Sequence, residues 1–165
     1  MSTSDKLCKD FKGKSVDQKL YRSMIGSLLD LTASQLDLSY SVGVCACYQS
    51  DPKESYLFAV KRILCYVSGT TNFGVCYSFN SNVDLAGYSD ADWAGNIDDR
   101  KSTTGNCFYI GNNLVSWFSK KQNCVSLSTA EAEYIAVGSG CTQLLWMKQM
   151  LTDYGLPQYK NGDFL

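Results

Sequence analysis

The chain has 165 residues, 15 Lys and Arg against 16 Asp and Glu, a formal net charge of −1 at pH 7 and no histidine. That length suits one domain, or one domain and part of another. The near-neutral charge excludes a basic nucleic-acid-coating protein and a polyacidic tail, and the lack of His removes Ser-His-Asp and Cys-His catalysis and every His-containing zinc site. Apolar residues make up 45% of the chain and aromatics 13%, enough for a packed core. No apolar run is long enough to predict a membrane span.

Residues 1–16 are polar and predict a flexible lead-in. They lack the apolar stretch of a signal peptide, which points to a cytoplasmic or nuclear protein. Residues 17–49 predict helix, in one or two pieces, because Tyr21, Met24, Ile25, Leu28 and Leu29 recur at spacings of three and four. Ser50-Asp51-Pro52 predicts a new helix start, with Pro52 in the first turn and Asp51 or Ser50 as cap. That helix carries Tyr56, Val60, Ile63 and Val67 and stops at Gly69. Phe73, Val75, Tyr77 and Phe79 alternate and predict a strand.

Leu85 to Ser89 predicts a short strand ending in Asp90-Ala91-Asp92. A polar loop follows over 95–104. Residues 107–110 and 114–118 predict two strands joined by the turn Gly111-Asn112-Asn113. Residues 126–151 predict one long helix, with Ala130, Tyr134, Val137, Cys141, Leu144, Met147 and Leu151 on one stripe. The eight cysteines are scattered, with one Cys-x-Cys and no Cys-x-x-Cys. They predict reduced, partly buried thiols rather than a disulfide scaffold or a zinc site. Trp93, Trp117 and Trp146 predict core residues.

Three acidic positions could carry chemistry: Asp90 and Asp92 at a strand end, and Glu131 in the first turn of the long helix. Carboxylates gathered from a strand end and a helix start are hard oxygen ligands for Mg²⁺ or Mn²⁺. A pair of such ions supports phosphodiester hydrolysis without histidine. Structural roles compete. Ser128-Thr129-Ala130-Glu131 is also a capping box, in which Glu131 serves the helix end, and the two aspartates can simply terminate a strand. Glu131 and Glu133 lie about 200° apart around the helix, so they cannot both face one site. Lys120 and Lys121 follow a strand and could meet phosphates.

Four blocks in order carry a resemblance: residues 87–95 (Gly-Tyr-Ser-Asp-Ala-Asp-Trp-Ala-Gly), 99–105 (Asp-Arg-Lys-Ser-Thr-Thr-Gly), 115–122 (Val-Ser-Trp-Phe-Ser-Lys-Lys-Gln) and 127–136 (Leu-Ser-Thr-Ala-Glu-Ala-Glu-Tyr-Ile-Ala). Together they resemble the ribonuclease H segment of copia-type retrotransposon Pol polyproteins. Residues 20–29 and 59–64 are similar to the region joining reverse transcriptase to ribonuclease H in that family. The resemblance implies an α+β fold: a helical connection segment over 17–79, then a partial ribonuclease H-like domain over 80–156, with antiparallel strands and one long helix, and a tail over 157–165.

By the same resemblance, Asp90 and Glu131 are the catalytic metal ligands for Mg²⁺ or Mn²⁺. Arg100, Lys101, Lys120 and Lys121 are weaker candidates for nucleic-acid contact, and the partner is an RNA–DNA hybrid, with intact Pol or a second copy able to supply missing parts. The family uses four carboxylates. Its third and fourth motifs are not found before Leu165, which implies a truncated fragment inactive by itself. A non-enzymatic interaction or effector protein derived from a retrotransposon remnant is the alternative. Asp30 departs from the family pattern on an apolar helix segment, where burial without a partner would be costly.

Overall fold

A computed structural model describes residues 7–79 and 82–158. The chain divides after Phe73 into two compact units. The first is helical: α1 (Gln18–Leu31), a single 3-10 turn (Leu36–Leu38), α2 (Ser39–Ala46) and α3 (Glu54–Gly69). Asp17 caps α1, its carboxylate accepting the N–H groups of Lys19 and Leu20. The three-four spacing holds: Tyr21, Ile25 and Leu28 are buried against Val42 and Cys45 of α2 and Val60 and Ile63 of α3. Asp30 lies off that stripe and is exposed, so its charge stays in water and costs the helix no desolvation.

The start of α3 differs from the expectation. The N-cap is Lys53, with no side-chain cap, and Pro52 precedes it, two residues before the first helical residue Glu54. An upstream segment does the capping instead. Lys14 O accepts the Glu54 N–H at 3.0 Å, Pro52 O accepts the Val16 N–H at 3.1 Å, and Ser15 bridges Lys53. Only the tertiary fold could supply those partners.

All eight cysteines are free, but five are exposed and only Cys45 is fully buried. Burial, followed by the neighbouring Cys47 thiol, pushes the Cys45 thiol from its ordinary 9.0 up to about 12. Burial also pushes up the Tyr21 phenol, whose hydroxyl donates to Cys45 O at 2.9 Å. Both groups hold their protons longer in the folded state than in the unfolded one. Their contribution is therefore fully present below pH 9 and is lost as pH rises from there towards 12. Denaturant titrations at stepped pH should show the first unit weakening above pH 9. Flat stability across that window would contradict the burial of these groups.

The second unit is α+β. β1 (Leu85–Asp92), β2 (Thr103–Ile110) and β3 (Asn113–Lys121) form an antiparallel sheet in the order β1-β2-β3, followed by α4 (Thr129–Asp153). The β2–β3 connection is a two-residue turn. Gly111 takes φ +59° there, and a Cβ at that position would run into the Asn82 carbonyl. Leu85 and Phe108 face Leu144 and Met147 of α4, and these four form the core. By the period of two, Asp90 and Tyr88 then point to the opposite face.

Two expectations fail here. Residues 73–79 form no strand: Phe73, Val75, Tyr77 and Phe79 are all exposed, and Ser78 is held by paired hydrogen bonds with the Asn113 side chain. Alternation predicts a strand only where one face is covered. The buried stripe of α4 is also rotated from the one expected. It runs Ala132, Ala136, Gly140, Leu144, Met147, leaving Tyr134 and Val137 exposed. Small residues let the first half of the helix approach the sheet closely, so the large residues there turn outward. No helix among the described residues is long and apolar enough to cross a membrane.

Candidate functional site

The site lies at the C-terminal end of β1, where β1, the loop after it, the end of β3 and the start of α4 come together. In the β1–β2 register Asp90 faces Gly105, Ala91 faces Thr104 and Asp92 faces Thr103. β1 is an edge strand, so alternate N–H groups point away from β2. Two of these are taken by side chains: Gln158 Oε1 accepts from Leu85 N–H at 3.0 Å, and Glu133 Oε1 accepts from Ala91 N–H at 3.2 Å. The α4 carboxylate held against β1 is therefore that of Glu133. It binds the peptide group joining Asp90 to Ala91.

Glu131 is used differently. Ser128 is the N-cap, its Oγ accepting the Glu131 N–H at 3.2 Å. Glu131 Oε2 reaches back and accepts the Leu127 N–H at 2.6 Å. This is the capping arrangement that competes with a ligand role in the sequence, shifted by one residue at its outer partner. The 200° separation then decides the rest: with Glu131 turned to the helix end, Glu133 is the glutamate available to β1. The signal for Glu133 was present in the sequence, because a Glu three residues after a Ser cap is already committed.

Asp92 also has a local role. Its carboxylate folds back against Gly95, where any Cβ would collide with it, and so shapes the turn out of β1. Trp93 is partly exposed and donates its indole N–H to Ser126 O at 3.1 Å. Trp117 is half-buried on the outer sheet face, lining an open hollow with Tyr88, Asp90, Cys107 and Leu114. Trp146 is exposed. None of the three is a core residue: Trp93 lies in the turn after β1, Trp117 on the uncovered sheet face and Trp146 on the exposed side of α4.

The four basic candidates gather at the same sheet end. Lys120 and Lys121 face Thr104 and Thr103 across β2–β3. That places them two strands from Asp90, roughly 10 Å at ordinary strand spacing. Arg100 and Lys101 sit on the loop before β2. Arg100 holds φ +56°, costly for a residue with a Cβ. The loop enforces it: Asn96 O accepts the Arg100 N–H at 3.0 Å, Lys101 O accepts the Asn96 N–H at 3.2 Å, and Asn96 Oδ1 accepts the N–H groups of Asp98 and Asp99.

Lys121 Nζ pairs with Asp99 Oδ2 at 2.7 Å and ties the loop to β3. Slight burial works to raise the Asp99 carboxyl. The hydrogen bonds from Lys121 and the Lys101 N–H, with both lysine charges, outweigh it and hold the group below its usual range.

Asp90 is exposed and Glu133 is half-buried, with one of its carboxylate oxygens engaged with the Ala91 N–H. Carboxylate oxygens with open positions beside them suit a hard divalent cation that keeps much of its water. Among the described residues no group of three or more His, Cys, Asp or Glu is placed to hold a metal. Two carboxylates are fewer oxygen donors than Mg²⁺ or Mn²⁺ takes, so water or other oxygen ligands would have to complete any such site.

Comparison with known proteins finds retrotransposon Pol polyproteins among the relatives of this chain. The retrovirus-related Pol polyprotein from transposon RE2 of Arabidopsis thaliana is 40% identical over 156 residues, covering 94% of this chain and 11% of that protein. The corresponding polyprotein from transposon TNT 1-94 of Nicotiana tabacum is 42% identical over 84% of the chain and 10% of its own length. The chain is homologous to copia-type retrotransposon Pol polyproteins. It spans about a tenth of the length of these Pol relatives. Another homologue, the secreted RxLR effector protein 161 of Plasmopara viticola, is 38% identical over 77% of the chain and 90% of its own length. No family model matches the chain, and no solved structure matches it.

Proposed function

We propose that this Pol homologue corresponds to the ribonuclease H region of Pol: a connection segment in the first unit and part of a ribonuclease H-like domain in the second. In this reading Asp90, from the outer face of β1, and Glu133, from the α4 side, bind Mg²⁺ or Mn²⁺ around the free edge of that strand at its end, and Arg100, Lys101, Lys120 and Lys121 contact the phosphates of an RNA–DNA hybrid. The observation that carries it is the Glu133 carboxylate held on the Asp90–Ala91 peptide, inside two of the four motif blocks. Metal ions there supply charge neutralisation and water activation when bound. The chain's own residues place the carboxylates and present the cations. Two carboxylates are a partial donor set for phosphodiester hydrolysis, so the chain binds hybrid without cutting it.

The test uses a labelled RNA–DNA hybrid with purified chain in Mg²⁺ and in Mn²⁺. Fluorescence anisotropy should show binding that weakens steeply with salt, and gels should show no cleavage. Cleavage lost in both Asp90→Asn and Glu133→Gln would mean that the site is complete enough to act. Absence of binding at low salt would remove the hybrid as a partner. A second reading, a non-enzymatic interaction protein, draws on the near full-length match to the Plasmopara viticola effector. It requires a specific protein partner whose capture is unaffected by chelators and by Asp90→Asn.

A further inference from the structure

We infer that Gln122 is the positioning residue for Glu133; the inference rests on the assignment of Asp90 and Glu133 as a metal site. Gln122 is 5% exposed, and its amide is the centre of a buried network. Nε2 donates to Thr104 Oγ1 at 3.0 Å and to Ala132 O at 2.9 Å. Oε1 accepts from Ser126 Oγ at 3.1 Å, and the backbone N–H donates to Ser102 O at 2.9 Å.

These bonds close a ring around the site. Thr104 is the cross-strand partner of Ala91. The Ala91 N–H donates to Glu133. The Ala132 carbonyl belongs to the peptide that leads into Glu133. One side-chain nitrogen therefore locks β2, opposite Ala91, to the α4 peptide next to Glu133, and the distance between strand and glutamate is set from both ends.

The angular consequence is large. A slip of α4 by one residue would rotate Glu133 about 100° around the helix axis. The residues packed beneath this half of the helix, Ala132 and Ala136, are small and nearly featureless, so they resist such a slip weakly. A buried amide with directional partners specifies rotation in a way that an apolar residue of equal volume does not. Gln122 lies in a loop and touches neither carboxylate directly, so its effect passes through the helix.

The experiment is amide hydrogen exchange by NMR on the ¹⁵N-labelled full chain. In wild type the Ala91 N–H should be protected by Glu133, and Glu133→Gln sets the scale for weakening that bond. Gln122→Met should speed Ala91 exchange about tenfold or more, while Phe108 in the core stays protected. Ser126→Ala removes only the bond at the far side of the amide and should leave Ala91 within about twofold of wild type.

Unchanged Ala91 exchange in Gln122→Met would overturn the inference. A measurement on wild type stands beside it: the two Nε2 protons of Gln122 should exchange about tenfold slower than those of exposed Gln149, and equal rates would also overturn it. Broadening of the Ala91 resonance by Mn²⁺ in wild type tests the metal site separately. Its absence would remove the metal from the end of β1, while the hold of Gln122 on Glu133 would still be decided by the exchange rates.

Discussion

Glu133→Gln should weaken Mn²⁺ binding at the end of β1 by at least about tenfold, the lower end of what losing even an outer ligand partner costs. Glu131→Gln should leave it nearly unchanged. The contrast follows from where the two carboxylates go. Glu133 Oε1 sits on the Ala91 N–H, next to Asp90, whereas Glu131 Oε2 is engaged with the Leu127 N–H at the helix end. Glu131→Gln should instead act on stability. A Gln oxygen can still accept at the helix start, but without the charge that favours the positive end of the helix, a loss of about 0.3–1 kcal/mol. Paramagnetic broadening titrations read the metal, and denaturant melts of the same samples read the helix. Equal loss of Mn²⁺ in both variants would return Glu131 to the site. Loss in Glu131→Gln alone would reverse the assignment.

Phe108→Ala should cost the second unit about 3–5 kcal/mol, a large part of the whole stability of a small domain. Phe108 is fully buried and is the largest member of a core whose other buried residues are Leu85, Leu144 and Met147. Ile110, Phe118 and Leu151 pack against this cluster, and removing the ring they surround leaves a cavity that they can fill only in part. The comparison is Leu145→Ala, one residue from Leu144 on α4 but mostly exposed, which should change stability by no more than about 0.5 kcal/mol. Urea unfolding followed by tryptophan fluorescence would rank the two. A small effect of Phe108→Ala would mean that α4 is not packed on the sheet through this cluster.

Much of the fold was legible because it depends on near neighbours. The α1 stripe of Tyr21, Ile25 and Leu28 is set by helical spacing. The Gly111 turn is set by the need for a residue tolerant of positive φ. The Ser128 cap is set by a side chain reaching its own backbone. The strand expected over 73–79 failed because alternation says that a face could be buried and not that anything covers it. The α3 cap failed for a similar reason, since its partners lie on residues 14–16.

The sequence by itself determined that three strands and one long helix follow residue 84, the hairpin turn, the cluster of motif residues and the kinship with copia-type Pol polyproteins. It did not determine which glutamate reaches β1. That choice depends on the rotation of α4 about its own axis, which is decided where Ala132 and Ala136 meet the sheet and where Gln122 binds Thr104 and Ala132 O at once. Periodicity orders residues around a helix, but the zero of that angle is set by what the helix packs against, and only the tertiary structure contains it.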